Sequence, residues 1–268
     1  MSSKEGLGAR YRASLIATFA GIGAAVYYIL LWLPGIPVIG LPNIRMEIGA
    51  SLSPVFGIVL GPYIGFLAVL IGNVIKTFVP TPNIYGAPFL LAAPLSAFGA
   101  GMLVKRRWVE VSIVMLAMLI AAMFAPPFYP VTEYWYVYLV AFYDKIAALI
   151  LTPILMIIVN RISKKQSATL FYIALYIMMF ISRELDKAFG CLIFALPQVY
   201  RDIFGITKVS KVRSLYLVSP LFYLVEYILE AVVAFVVTIP LIKALTRAPE
   251  LSEVLHIRYL REWQGSKK

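Results

Sequence analysis

Charged side chains stand inside runs that are otherwise apolar, and they carry what chemistry this chain has. Asp144 and Lys145 interrupt one run, Arg183, Glu184, Asp186 and Lys187 a second, and Glu226 and Glu230 a third. A charge in such a run is costly and is found facing a partner charge, a bundle interior or a polar cavity. Glu226 and Glu230 are four apart, so they share a helical face, where like charges repel and need cations. Counted from the outer helix ends, Lys187 and Glu226 lie about 15 Å deep, and Arg183 and Glu230 about 21–22 Å deep, at the helical rise per residue. The spacing predicts two antiparallel neighbours cross-linked by Arg183–Glu230 and Lys187–Glu226. Such pairs either fix helix register or line a cavity for a charged solute or a proton. Asp144 lies about 12 Å below the start of its helix, and Lys145 points about 100° away from it, so the two are not expected to pair simply with each other. Asp144 is the expected polar contact of a pocket in that region.

Other polar groups gather where apolar runs begin or end. Asn43, Arg45 and Glu47 precede the second run, and Asn73 and Lys76 close the third. Asn83 and Tyr85 lie in the break that follows, and Glu133, Tyr134 and Trp135 open the sixth run. Each is a candidate for holding a solute, and each has an ordinary alternative. Arg45 and Glu47 suit the headgroup level, Lys76 can snorkel, and Tyr134 and Trp135 suit an aromatic belt. Arg45 and Lys76 favour an anionic solute, Glu47 and Glu133 offset them, and Tyr85, Tyr134 and Trp135 suit stacking on a flat ring.

Catalysis is not expected. Asp144, Asp186, Glu226 and Glu230 could serve acid–base chemistry, but the chain has no GxSxG, no HExxH and no cluster of metal ligands. Its one cysteine, Cys191, lies in an apolar run, and its one histidine, His256, lies in a polar tail. That argues against a disulfide framework and a transition-metal centre. There is no Walker A sequence, so any ATP hydrolysis belongs to a partner, and no cofactor is expected.

The elements that must position these residues are membrane helices. The chain has 268 residues, of which 62% are hydrophobic, and a mean hydropathy of +0.88, which rules out an ordinary soluble domain. The apolar runs are continuous rather than alternating, so helices are expected. Eight spans are read: 13–33, 46–60, 62–78, 87–104, 109–125, 136–159, 168–196 and 215–245. The fold class is therefore an all-α integral membrane protein, a bundle of about eight transmembrane helices. Residues 1–162 form a six-helix core, 163–246 two further helices packed on it, and 247–268 a polar tail. The net charge of +11 sits between and beside the spans, which argues for topology rather than nucleic acid. With eight spans, the cations at the N-terminus, at 105–107, at 161–165 and after Lys243 all fall on the cytoplasmic side. One loop, 198–214, disagrees. It carries Arg201, Lys208, Lys211 and Arg213 against Asp202. Either it translocates anyway or span seven is a broken hairpin. No signal peptide is evident.

Residues 43–104 organise the rest. A tight turn at Gly61-Pro62 joins spans two and three, with Pro at a first helical position, and a polar break runs from Lys76 to Gly86. The segment PGIPVIGLPNIR before them is too broken by Pro and Gly for helix. In span one Ala13, Ala17 and Gly21 fall on one line, with Ala20 and Ala24 beside it, which allows a close helix approach.

These features, IGASLSPVFGIVLGPYIGFLAVLIGNVI and APFLLAAPLSAFGAGML followed by KRR, make residues 13 to about 162 resemble the S component of energy-coupling factor (ECF) vitamin transporters. The resemblance implies capture of a vitamin or similar small molecule from outside the plasma membrane. It implies association with a transmembrane coupling subunit and two ATPase subunits, and release inside by toppling. It further implies that Ala13, Ala17, Ala20, Gly21 and Ala24 dock the coupling subunit, and that residues 34–45 and 77–86 cap the substrate pocket. The last hundred residues depart from that six-span family. Two other readings are an ion-coupled secondary transporter, which lacks support from any internal repeat, and an intramembrane enzyme.

Overall fold

Gly61 makes the sharpest corner of the chain. Its φ of 92° is a conformation that glycine adopts freely and other residues resist. It closes α2 (Ser53–Leu60), and Pro62 opens α3 (Pro62–Phe78). The other glycine whose missing side chain matters is Gly57, where a Cβ would lie 1.8 Å from the Ala97 carbonyl oxygen. There α2 meets α4 (Ala92–Val104) backbone to backbone.

The computed structural model describes residues 2–38, 41–165, 167–247, 255, 256 and 258–263. Side chains of 2–13, 36–46, 163, 165, 219–225, 261 and 262 lie outside the described set. The chain begins with α1 (Ser2–Leu30). The Pro- and Gly-rich segment after it is an antiparallel hairpin of β1 (Gly35–Val38) and β2 (Leu41–Glu47), and a 3₁₀ turn (Ile48–Leu52) leads into α2. After α3 a second 3₁₀ turn (Ala87–Phe89) precedes α4. Then follow α5 (Trp108–Met123), α6 (Val131–Lys165), α7 (Ala168–Phe194), α8 (Pro197–Tyr200), α9 (Val209–Thr246) and α10 (Arg258–Trp263).

The protein is a helical membrane protein. Among the described residues, four segments are long and apolar enough to cross a bilayer: Ala87–Val104, Val131–Ile162, Ala168–Phe194 and Glu226–Thr246. Four others, Ser14–Leu30, Ile48–Leu60, Pro62–Phe78 and Trp108–Met123, are apolar and hold 10–17 residues whose side chains are described. The expected second span shortens most, because Met46 and Glu47 belong to a strand and the next five residues to a 3₁₀ turn. The 8 α-helical residues that remain rise about 12 Å, short of the roughly 30 Å of a hydrocarbon layer. At the other end of the chain, α9 begins at Val209 and so takes in 209–214, the last part of the expected loop 198–214.

Helix α7 lies inside the bundle rather than on its outside. Leu175, Met178, Met179, Ile181, Leu185 and Ala188 are fully buried and share one apolar core with α4, α5, α6 and α9. A smaller cluster of Tyr27, Leu31, Phe56, Val69, Ala93 and Ala97 joins α1 to α2–α4.

The chain returns to the Gly61 end of the bundle. Trp263, fully buried, donates from Nε1 to the Val104 carbonyl at 3.1 Å. The His256 backbone N–H donates to Val59 O at 2.9 Å, and its Nε2 meets Gly101 O at 3.0 Å. Because a carbonyl only accepts, Nε2 carries the proton. Burial holds this imidazole down at about 4, and nearby Lys105 and Arg258 act the same way, against the opposing pull of Gly101 O.

Two outcomes are expected. Gly57→Val should lower the unfolding midpoint by the equivalent of about 3 kcal/mol or more through overpacking, whereas Gly21→Ala, which meets nothing within 4 Å, should leave it unchanged. The docked His256 has a depressed pKa, so docking of the tail is complete above about 6.5, the free value, and weakens as pH falls from there toward about 4. Limited proteolysis should find the tail protected at neutral pH and cleavable near pH ~5. His256→Gln should remove that dependence.

Candidate functional site

A buried guanidinium holds the centre of the bundle. Arg183, on α7, donates from Nη2 and Nε to the Glu230 carboxylate of α9 at 3.1–3.3 Å. Its Nη1 donates to the Ala50 carbonyl at 3.0 Å, lies 3.5 Å from Ser53 Oγ, and meets Asp186 one turn along α7. One side chain thus ties α7 to α9, to the 3₁₀ turn and to the start of α2. Only Arg offers five N–H donors in a fixed planar fork. Tyr27, fully buried on α1, closes this side of the site, and its hydroxyl has no hydrogen-bond partner among the described residues.

A second group adjoins the first. Lys187 Nζ lies 2.9 Å from Glu230, 3.7 Å from Glu184 and 3.1 Å above the Tyr227 ring. Lys145, on α6, lies 2.8 Å from Asp144 and 3.9 Å from Glu184. Asp144 also accepts the Lys145 backbone N–H at 2.9 Å. Seven ionisable side chains from three helices therefore form one continuous network in an apolar surround. Within it Glu184, at 0% exposure, accepts no hydrogen bond at either oxygen from any described residue.

Two expected arrangements are corrected. Lys187 reaches Glu230, not Glu226, because its flexible stem bends over Tyr227 toward the carboxylate that Arg183 already holds. Glu226 is half-buried and has no ion pair among the described residues. Asp144 and Lys145 do pair, since burial forces a partner and the long lysine stem spans the angle between adjacent positions. Asp144 is thereby satisfied within α6.

The mouth residues whose side chains are described do not join this network. Asn83 turns its side chain onto its own loop, accepting from the Tyr85 and Gly86 N–H groups at 3.1 and 3.2 Å. Asn73 donates to Leu90 O at 3.2 Å, holding the chain as it enters α4. Lys76 sits 3.3 Å over the Trp32 ring. Tyr85 packs on Phe204, 5.4 Å between centroids. Glu133 and Trp135 face outward, and Trp135 stacks edge-on with Tyr136. Glu47 is part-buried at the end of β2. Burial raises its carboxyl and Lys76 pulls it back. The side chains of Asn43 and Arg45 lie outside the described residues.

The small residues of α1 divide between two faces. Ala17 and Gly21 are exposed, and a Cβ at Gly21 would meet nothing. Ala20 and Ala24, both at 3%, pack inward, which removes them from any external contact. The reason is the helical period: positions three and four apart share a face, but 17/21 and 20/24 straddle its edge. The Ala13 side chain lies outside the described set.

Sequence reasoning missed Tyr27, Ser53, Tyr227 and the Ala50 carbonyl. Nothing in an apolar run marks which tyrosine or carbonyl a distant guanidinium will find. Glu184 was visible as a charge, three residues before Lys187, but not as the one left without a close partner.

Residues 16–177 match the profile of the family described as ECF-type riboflavin transporter, S component. A UPF0397 protein of Lactococcus lactis subsp. cremoris is 34% identical over 94 residues, which are 34% of this chain and 49% of that protein. A UPF0397 protein of Lactiplantibacillus plantarum is 36% identical over 76 residues, 28% of this chain and 37% of the relative. The chain spans about half the length, or less, of the curated relatives it matches. No solved structure matches it.

Arg183→Met should destabilise the protein by about 3–5 kcal/mol in detergent unfolding, because it strands the Glu230 carboxylate in the interior. Arg201→Met, which removes a pair in open solvent, should produce no measurable change.

Proposed function

The chain belongs to the ECF-type riboflavin transporter S-component family, and from that membership we propose that it is the substrate-capture subunit of an ATP-driven importer. Its cargo is a vitamin or similar small molecule, taken from outside the plasma membrane. The partners are a transmembrane coupling subunit and two ATPase subunits, since the chain has no Walker A sequence of its own. In this reading eight helices cross the membrane with both termini in the cytoplasm. The hairpin of β1 and β2 and the segment 77–86 cap the pocket from outside, the solute meeting Glu47 of the hairpin, Tyr85 of the segment, and Asn73 and Lys76 of α3.

The observation that supports docking is the split of α1. Its exposed side includes Ala17 and Gly21, with Ile16, Ile22 and Val26 also exposed elsewhere around the helix, and small residues four apart let a second helix approach closely. The docking face is therefore Ala13, Ala17 and Gly21, with Ala20 and Ala24 reserved for internal packing. A second reading, ion-coupled transport by the chain alone, draws on the buried charge network.

Purification of the tagged protein in mild detergent separates the two. Under the importer reading, ATPase subunits and a membrane partner co-purify, and uptake into liposomes needs ATP but no ion gradient. Gly21→Leu should abolish co-purification while leaving the unfolding midpoint of the isolated chain unchanged. Ala24→Leu should lower that midpoint. Uptake by the chain alone, driven by an ion gradient, would overturn the importer reading. Riboflavin serves as the first probe, because its fluorescence reports binding directly.

A further inference from the structure

The charge network does not balance. Its enclosed carboxylates are Asp144, Glu184, Asp186 and Glu230, and its cations are Lys145, Arg183 and Lys187. Among the described residues, four anions against three cations leave one negative charge in an apolar interior, where an uncompensated charge is strongly disfavoured. The geometry also shows which group carries the excess. Asp144 holds the Lys145 ammonium at 2.8 Å and the Lys145 backbone N–H. Asp186 and Glu230 share the Arg183 guanidinium, and Glu230 has Lys187 at 2.9 Å as well. Glu184 is approached only at 3.7 and 3.9 Å, by ammonium groups that lie closer to Glu230 (2.9 Å) and to Asp144 (2.8 Å). Neither of its oxygens accepts a hydrogen bond among the described residues.

We propose that Glu184 is a proton-binding site, occupied at neutral pH, which makes the network between α6, α7 and α9 electrically neutral. The proton comes from water and adds to one carboxylate oxygen, and nothing is oxidised or reduced. The titratable and charged groups around it are Tyr143, Asp144 and Lys145 from α6, Arg183, Asp186, Lys187 and Cys191 from α7, and Glu226, Tyr227 and Glu230 from α9, with Tyr27 of α1 beyond Arg183. Glu226 is a further carboxylate, but it is only half-buried, so it adds no enclosed charge to be cancelled. By linkage, any cation or hydrogen-bond donor delivered to Glu184 displaces this proton. The inference stands whether or not the chain works with ATPase partners.

Infrared spectroscopy of the whole protein in an ester-free detergent tests it. At neutral pH the spectrum should contain the carbonyl stretch of a carboxylic acid, well separated from the carboxylate bands. Carboxyl-¹³C labelling of glutamate should shift that band, which excludes Asp144 and Asp186. Glu184→Gln should remove it, while Glu47→Gln and Glu226→Gln should leave it. Absence of the band in the wild type, a band indifferent to the glutamate label, or a band that survives Glu184→Gln would each overturn the proposal. If Glu184→Gln does not fold, the labelled wild type and the two other variants decide: a labelled band that survives both supports the assignment, and a band lost in either overturns it.

Discussion

The bond between Arg183 and Glu230 is the constraint on which the bundle depends. In water such a pair contributes little, but in an apolar interior neither partner can be left alone. The guanidinium reaches α9 through Glu230, the 3₁₀ turn through Ala50 and α2 through Ser53. It can do so only because α7 lies at the middle of the bundle. Apolar faces slide past one another with little penalty, whereas a planar fork of donors accepts one register. The network therefore specifies which arrangement of helices forms more than it adds to net stability, since well-packed apolar residues would stabilise as well.

A second constraint acts at the Gly61 end. The close approach of α2 to α4 at Gly57 leaves no room for side chains between them. The carbonyls of Val59 and Val104 lie in the last turns of α2 and α4, where helix ends leave acceptors without internal donors, and Gly101 O, which already takes the Lys105 N–H at 3.4 Å, has a second lone pair to offer. The C-terminal segment supplies donors from the His256 backbone, the His256 ring and Trp263. The tail is in this sense a cap shared by two helices.

These two features divide the molecule by role. The Gly61 end is fixed by backbone contact and by the tail, and the interior is fixed by charge. The far end, with the β-hairpin and the segment around Tyr85, is held by single hydrogen bonds and ring contacts. Under the proposed function the solute enters at this more lightly held end. The exposed strip of α1 runs along the outside, independent of both.

Much of this was legible from residues alone. Gly61-Pro62 declared a turn because one residue tolerates positive φ and the other needs no N–H donor partner. Apolar run lengths gave the positions of most helices, and depth counting put Arg183 level with Glu230. The one-dimensional rules failed where distance in space was decided by neighbours. Depth alone sent Lys187 to Glu226 and kept Lys145 from Asp144, but flexible stems and burial redirected both. A small-residue list could not separate Ala17 and Gly21 from Ala20 and Ala24, because the edge of a helix face is set by what packs on it. Nor could the sequence reveal that α7 is central, that the tail caps α2 and α4, or that Glu184 is the carboxylate left over. Local residue types determine where helices start, turn and cross apolar surroundings. Only tertiary packing decides which buried charge finds a partner, since that depends on distances between helices that the sequence does not contain.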